Sequence, residues 1–411
     1  MKVLLVVKSK MMENLGVMYL SAVIKKAGHE CRIENISYAE YVATYWKPDI
    51  IGLSIMTGDQ ERFKAFHRNL KHKTTVIVGG HHPSFFPEDC DWADMVITGE
   101  AEQAMAELLQ SDLRFPDIHS LPWPDRSDFK GFKIRDFISS RGCPQKCTYC
   151  YNGKWAKLFP EYKGVRTRTV QDLIGELKWC KNNLQMKYVY YQDSCFGVNI
   201  NWMREYAKKY KTHIDLPYQC NFRPEQITPE RVALLHDSNC VAIRMALETA
   251  SDRLRKMVGR KGYKLSDVSN ASGLLRERNI MFMLQNILGL PSATIEDDLN
   301  TLEFNILCQP TYAWASIYQP YPGTELGDLC KKEGWYKGDY SDITDSFFDT
   351  SFLEIPEEHK EQLEVLQKIF ALCVEHKYLP LMDELRYSEL PKLIHKITRK
   401  TGDKKLYLNL L

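Results

Sequence analysis

Short apolar runs alternate with stretches of helical period from the first residues of the chain onward. "KVLLVV" reads as a buried strand. "NLGVMYLSAVIKKAGH" follows and sets Leu15, Met18, Tyr19, Ala22 and Val23 on one helical face, with Gly28 as a stop. "CRIENI", "DIIGLS", "TVIVGG" and "DMVITG" predict four more strands, with helices near Tyr38–Tyr45, Glu61–Leu70 and Ala101–Leu109 between them. Such alternation predicts a doubly wound parallel sheet over residues 1–110. Ligands of these sheets sit beyond the carboxyl ends of the strands. Those ends run here into Lys8–Asn14, Ser54–Gly58 and the "GGHHP" of Gly79–Pro83. Two glycines after an apolar strand either let backbone approach a ligand or make a plain tight turn. No G-x-G-x-x-G follows the first strand, so a dinucleotide site is not expected. Neither His81 nor His82 is assigned as an axial metal ligand.

Residues 111–132 break the periodicity with three prolines and many polar residues, and read as a linker. Alternation resumes at Lys133 with six strand candidates: "KIRDFISS", "KYVYYQD", "LPYQCN", "VAIRMALE", "MFMLQNILG" and "WASIYQP". The helices between them carry start signals. Thr169 with Asp172, and Thr294 with Asp297, have capping-box spacing, and Thr228 precedes Pro229 at a first helical position. Six successive β-α units predict a second, curved parallel sheet over residues 133–335. Residues 336–411 read as a small helical segment, with Leu363, Leu366, Ile369, Phe370 and Cys373 on one face. The basic "KITRKTGDKK" within it reads as solvated surface.

A chain of 411 residues suits two or three domains, and 44% hydrophobic content is that of a globular protein. A net charge of +2 offers no field to recruit nucleic acid or an anionic membrane, so neither partner is expected. No apolar stretch approaches the roughly 20 residues of a membrane span. "MKVLLVVKSK" lacks the apolar core and cleavage site of a signal peptide. Twelve cysteines without an export signal point to a reducing compartment, and a cytoplasmic location is expected.

Three of those cysteines stand together in "SSRGCPQKCTYCYNG", as Cys143-x-x-x-Cys147-x-x-Cys150. Structural zinc sites and ferredoxin-type clusters take four protein ligands, so three local thiolates leave one position open. An open iron–sulfur site satisfies the pattern. So does a site closed by a distant cysteine, with Cys195, Cys220 and Cys240 as candidates, and so does a chance group of buried thiols. The later strands also end in polar residues: Gln192, Asp193 and Ser194; Asn221 and Arg223; Glu248, Thr249 and Ser251; Gln285 and Asn286; Gln319. Any single one reads equally as a helix cap or a solvated loop residue. Their recurrence at successive strand ends predicts a polar pocket, and the cysteine loop leaves the first strand at that same end.

Both halves resemble known families. "LGVMYLSAVIKKAGHE", "DIIGLSIMTG", "VIVGGHHPSFFPED" and "ADMVITGEAE" are similar, in order, to the cobalamin-binding domain of cobalamin-dependent radical SAM enzymes. The Asp-x-His-x-x-Gly motif that supplies a lower-axial histidine in other cobalamin proteins is absent. The resemblance implies a Rossmann-like (flavodoxin-like) domain and cobalamin with no histidine beneath the cobalt. It also implies a corrinoid site lined by Ser54, Met56, Thr57, Gly79, Gly80 and His82. The linker's Leu-Pro-x-Pro segment is shared as well.

The C-x-x-x-C-x-x-C motif, with Tyr149 before its last cysteine, resembles the radical SAM signature. It implies a partial (β/α)6 barrel and a 4Fe–4S cluster on Cys143, Cys147 and Cys150. S-adenosylmethionine (SAM) would complete the open iron and be cleaved to a 5′-deoxyadenosyl radical that removes a substrate hydrogen. "ALETAS" is similar to the family's Gly-Ile-Glu-Ser segment and makes Glu248 a SAM contact. "LGLPSATIED" resembles Gly-x-Pro-Gly-Glu-Thr, with Ser292 and Ala293 replacing Gly and Glu, and "PYPGTEL" matches the sixth strand end. "YYQDSCF" departs from the Gly-Gly-Glu-Pro pattern, so Gln192 or Asp193 is expected to take the SAM amino group. Tyr149 and Gln285 complete the expected SAM contacts.

Over residues 1–335 the resemblance implies a methyltransferase in which methylcobalamin delivers a methyl group to an unactivated carbon. The substrate would be a small molecule or peptide, and a flavodoxin or ferredoxin would donate electrons. Cyclases and ring-contracting enzymes share the resemblance, and a non-catalytic corrinoid- or metal-binding protein is the alternative from another class. The tRNA methylthio-transfer branch would carry further N-terminal cysteines and a C-terminal RNA-binding barrel. Only Cys31 and Cys90 stand in the first domain here, and the tail reads helical.

Overall fold

A computed structural model of the chain describes residues 1–399, apart from 71–73, 163, 261, 340–341 and 345. The end of "KITRKTGDKK" lies outside the described residues. Numbered in chain order, the first half runs β1 (Lys2–Val7), α1 (Leu15–Lys26), β2 (Glu30–Asn35), α2 (Ile36–Trp46), β3 (Ile50–Ser54), α3 (Gln60–Arg68), β4 (Thr75–Gly79), α4 (His81–Phe85), β5 (Met95–Val96) and α5 (Glu102–Leu108). Next come β6 (Ile134–Phe137), β7 (Ser140–Arg141), α6 (Tyr151–Leu158), β8 (Arg166–Thr167), α7 (Val170–Asn183), β9 (Tyr188–Tyr191), α8 (Ile200–His213), β10 (Tyr218–Phe222) and α9 (Pro229–Asp237). The chain continues through β11 (Cys240–Glu248), α10 (Asp252–Met257), α11 (Leu265–Glu277), β12 (Met281–Leu288), α12 (Ile295–Cys308), β13 (Tyr312–Ile317), α13 (Glu325–Lys332), α14 (Glu357–His376) and α15 (Leu390–Thr398).

The first five strands form a parallel sheet of order β2-β1-β3-β4-β5. This is the flavodoxin-like order, whose switch point lies between β1 and β3. Both faces are covered, which is why "KVLLVV" shows no polar alternation. Val3, Leu5 and Val7 pack with Met18 of α1 and Met105 of α5, while Leu4 and Val6 pack with Ala39 of α2 and Phe63 of α3. The second sheet is parallel, of order β13-β12-β11-β10-β9-β6, so its strands follow one another as successive β-α units should.

The chain divides into two compact units. One contains Met1–Arg141 and Val165–Gln192; the other contains Gly142–Gly164, Asp193–Asp339 and the described residues from Ser346 on. An ion network runs through the first unit. Glu13, just before α1, accepts from Arg126 Nη1 and Arg135 Nη1, both at 2.5 Å, and from Asp136 N at 2.8 Å. Arg126 also donates to Glu176 Oε1 of α7 at 2.9 Å, and Arg168 to Glu176 Oε2 at 2.6 Å. The linker runs mainly along the surface and is anchored where Ile118, Pro124, Arg126 and Phe129 are buried.

In the second unit, Gln219, Asn221, Arg244, Met283, Gln285, Trp314 and Ser316 share the half-buried face of β10–β13, and their neighbours in sequence are buried on the other. The expected face of α14 is buried, with Leu363, Leu366, Ile369, Phe370 and Cys373 packed with Leu288 of β12, Ala315 of β13 and Leu302 of α12. Thr294 and Asp297 form a full capping box. Thr169 caps α7 through Asp172 N, but the Asp172 carboxylate turns to Arg168 and Trp123 instead of completing a box.

Candidate active site

Residues 142–150 lead straight into α6, and Cys150 is its N-cap residue. Cys150 N donates to Cys147 O, and Gly153 N to Cys150 O, each at 3.2 Å. Thr148 pins the middle of the loop. Its N donates to Val258 O at 3.2 Å, its Oγ1 to Met257 O at 2.8 Å, and its O accepts from Leu326 N at 2.9 Å. Gly259 has φ +73°, and a Cβ there would lie 2.8 Å from Lys146 O and 3.3 Å from Cys147 Cα. Glycine is needed on both counts, since a side chain would push the cysteine loop outward.

Access separates the motif cysteines from the rest. Cys143, Cys147 and Cys150 are half-buried, and the nine other cysteines are buried. The distant candidates have other roles: Cys195 donates to Gln226 Oε1 at 2.8 Å, and the Cys220 and Cys240 sulfurs meet at 4.0 Å in the packed interior. Burial pushes the Cys143 thiol up and that of Cys150 up to about 11, so each keeps its proton until a metal displaces it. Among the described residues no three His, Cys, Asp or Glu side chains stand in a geometry that holds a metal ion. The fit to an iron–sulfur cluster therefore lies in the donor set, which is three soft thiolates with access in one short loop.

Glu248 ends β11 in the left-handed region, with φ +66°, where the register with β12 slips between Ala246 and Glu248. Strained backbone of this kind, next to a bulge, re-aims a side chain. Glu248 Oε1 accepts from Tyr149 OH and from Arg260 Nη2, and Arg260 Nη2 also donates to Tyr149 OH at 3.2 Å. Burial, aided by the Glu248 charge, raises the Tyr149 phenol, while Glu248 and Tyr149 hold Arg260 charged against its own burial. Arg260 has no motif in the sequence to mark it. Its only signal there is a basic residue in the "VGRKG" turn after the Glu248 strand.

The remaining strand-end residues divide by role. Gln285 is half-buried and in register with Ala246. Asn286 faces the helices instead, exchanging hydrogen bonds with Asn305 at 3.1 and 2.8 Å and donating to Trp314 O at 2.9 Å, so it is structural. Asp193 is buried, and its carbonyl accepts from Asn221 Nδ2 at 2.8 Å. Ser194 Oγ accepts from Asn152 Nδ2 at 3.3 Å. Gln319 Nε2 donates to Thr350 O at 3.4 Å. In the first unit, Gln192 Nε2 donates to Asp136 Oδ1 at 3.0 Å. The structure thus brings Tyr149 and Glu248 together, sets Gln285 on the neighbouring strand, and ties Gln192 to Asp136.

At the first sheet, Ser54 and Gly79 end β3 and β4 as register partners. Gly80 follows at φ +104°, and a Cβ on it would lie 2.8 Å from Ile55 O and 3.0 Å from Ile55 N. The result is a bare backbone shelf at the carboxyl ends of the strands. Met56 is exposed beside it, with its sulfur 3.2 Å from His81 Nδ1. His82 is fully buried: Nδ1 lies 3.2 Å from Thr57 Oγ1 and Nε2 lies 2.9 Å from Asp89 Oδ2. With both ring nitrogens engaged, His82 supports the turn from inside, and Thr57 is its link to the surface. Burial lowers the pKa of both histidines. Cys31 and Cys90 are buried in the two cores of this sheet, raised to about 12 and about 11, and offer nothing to a second cluster.

Residues 1–109 match the B12 binding domain, and residues 137–304 match the radical SAM superfamily. The chain is a radical SAM enzyme with an N-terminal B12-binding domain. Such domains take a 4Fe–4S cluster, SAM and cobalamin, and these are its cofactors. The chain is 22% identical over 366 residues to an uncharacterized methyltransferase, PH0819, of Pyrococcus horikoshii, which covers 76% of this chain and 77% of that protein. It is 21% identical over 367 residues to the anaerobic magnesium-protoporphyrin IX monomethyl ester cyclase of Cereibacter sphaeroides, covering 75% of this chain and 59% of the cyclase. Among solved structures it resembles the radical SAM methyltransferase TsrM of Kitasatospora setae, with a TM-score of 0.68 at 16% identity, over 81% of this chain and 76% of that one. That last likeness is one of fold. Among the described residues no helix of this radical SAM enzyme is long and apolar enough to cross a membrane.

Proposed function

We propose that this enzyme is a cobalamin-dependent methyltransferase acting on an unactivated carbon of a small-molecule or peptide substrate. The observation that carries the proposal is the selective access of three thiols out of twelve, in a loop tied by Tyr149 to the buried carboxylate of Glu248. Relatives named as methyltransferases support the choice of reaction. When bound, the cluster supplies the electron that cleaves SAM to a hydrogen-abstracting radical, and the corrinoid supplies a transferable methyl group.

The chain's own residues bind and orient. Cys143, Cys147 and Cys150 would hold the cluster as thiolates, and SAM would take the position that three ligands leave open. Arg260 and Tyr149 both bind Glu248 Oε1, which fixes the carboxylate and leaves Oε2 to meet a hydroxyl or ammonium of SAM. Gln285 and Asp193 are further SAM contacts in this reading. Ser54, Met56, Thr57, Gly79 and Gly80 form the corrinoid shelf, and His82 steadies it. A flavodoxin or ferredoxin would donate electrons.

The test is an anaerobic reconstitution with cobalamin, a reductant and SAM labelled in its methyl group. Formation of 5′-deoxyadenosine together with label on the corrinoid is expected. Deoxyadenosine with no label reaching the corrinoid would exclude methyl transfer and favour the cyclase or rearrangement chemistry, a reading that the named cyclase relatives also support.

A further inference from the structure

Arg223 follows β10 and is only 7% exposed. Three contacts fix its guanidinium. Its Nε donates to the Glu225 carboxylate, it stands 6.0 Å from the centre of the Tyr263 ring, and Nη1 reaches to 3.9 Å from Cys147 Sγ. Tyr263 is itself anchored, with its hydroxyl donating to Leu247 O at 2.5 Å. Arg223 makes no side-chain cap for the short 3-10 turn Pro224–Gln226 that it precedes. Glu225 is used on one side only: its Oε2 is buried with no hydrogen bond among the described residues. Arg223 is buried and Glu225 half-buried, so desolvation offsets much of what the pair gains and stability alone is a weak reason for it.

We infer that Arg223 raises the reduction potential of the centre held on Cys143, Cys147 and Cys150, and that Glu225 sets by how much. The inference rests on the cysteine assignment proposed above. Uptake of one electron from an external reductant makes the centre more negative by one charge, and no bond forms or breaks. A fixed guanidinium beside a ligating sulfur stabilises the reduced state more than the oxidised one, because little water is present to screen it. A hydrogen bond to that sulfur acts in the same direction by drawing charge from it. The Glu225 carboxylate opposes both effects while holding the guanidinium in place.

Arg223→Gln, Arg223→Lys and Glu225→Gln in the full chain test this, with iron content and circular dichroism compared with the unsubstituted protein. Redox titrations followed by electron paramagnetic resonance, without SAM or substrate, read the potential directly. At the potential that half-reduces the parent, Arg223→Gln should have about a tenfold lower ratio of reduced to oxidised centre, equivalent to about 59 mV for one electron. Arg223→Lys, which keeps the charge but not the fork, should fall between the two. Glu225→Gln should shift in the opposite sense. Unchanged potentials in both glutamine variants, or shifts of the same sign in both, would overturn the role of Arg223. A parent chain that binds no iron, or keeps it after Cys147→Ala, would overturn the cysteine assignment and the inference with it.

Discussion

Asp298 of α12 is fully buried, and its carboxyl oxygens lie 3.1 and 3.3 Å from Gly289 N at the end of β12. Burial pushes its pKa up to about 8; the Gly289 hydrogen bond pulls the other way, and the neighbouring Asp297 adds to the rise. An unfolded aspartate titrates near 3.9. Between those two values the folded chain holds a proton that the unfolded chain has released, so this residue makes stability fall as pH rises through that window. Asp298→Asn keeps the size and an acceptor for Gly289 but cannot ionise. Its thermal midpoint should equal the parent's near pH 4 and exceed it by at least about 2 °C near pH 8; parallel pH dependences in the two proteins would refute the assignment. At the same scale, Glu248 is legible in "ALETAS" as a residue type, but its left-handed backbone and its Arg260 partner are not, because both arise from tertiary contacts. Ser292 is the converse case. It stands where the family pattern has glycine, and it adopts φ +61°, with Arg253 donating to its Oγ at 2.7 Å and to its carbonyl at 3.0 Å. The glycine in the motif thus marks a backbone need that this chain meets with a serine and an arginine clamp.

Elements were legible where they are long and periodic. β1, α1, α12 and α14 follow directly from spacing, and the Thr294 box forms as its sequence predicts. The β7–β8 ribbon and α4 carry too few residues for any period to show, so "GGHHP" reads as loop although a helix begins at His81. The linker's buried anchor is not legible for a different reason: Arg126 looks like surface, and its partners Glu13 and Glu176 are far away in sequence. Glu13 is the centre of that network, since it accepts from two buried arginines and a backbone amide. Glu13→Gln leaves Arg126 with Glu176 as its one carboxylate partner beside the Asp136 carbonyl, and Arg135 with only backbone carbonyls. The expected loss is about 3–5 kcal/mol of unfolding free energy, the range for breaking a buried pair from one side. Chemical denaturation followed by circular dichroism measures it, and a loss below about 1 kcal/mol would show that the network is no more than a set of surface-strength pairs.

For the whole molecule, two sheets each present a ligand-shaped feature at the carboxyl ends of their strands, and each feature is fixed by contacts within its own unit. The Gly80 turn is held by Ile55 and His82, and the cysteine loop by Thr148 and Gly259. Cofactor loading should therefore separate by substitution. Replacing Cys143, Cys147 and Cys150 together by alanine removes the soft donors but touches nothing at the first sheet, so iron should be lost while the corrinoid absorbance remains near one equivalent. Gly80→Val forces a branched side chain into a left-handed position against Ile55 O, which closes the backbone shelf. That variant should lose most of its cobalamin and keep its iron. Thermal unfolding of both variants, run alongside, identifies any that has lost its fold rather than its site. If cobalamin left with the cysteines in a protein that still melts cooperatively, the two features could not be independent sites, and the shelf at Ser54, Gly79 and Gly80 would not by itself hold the corrinoid.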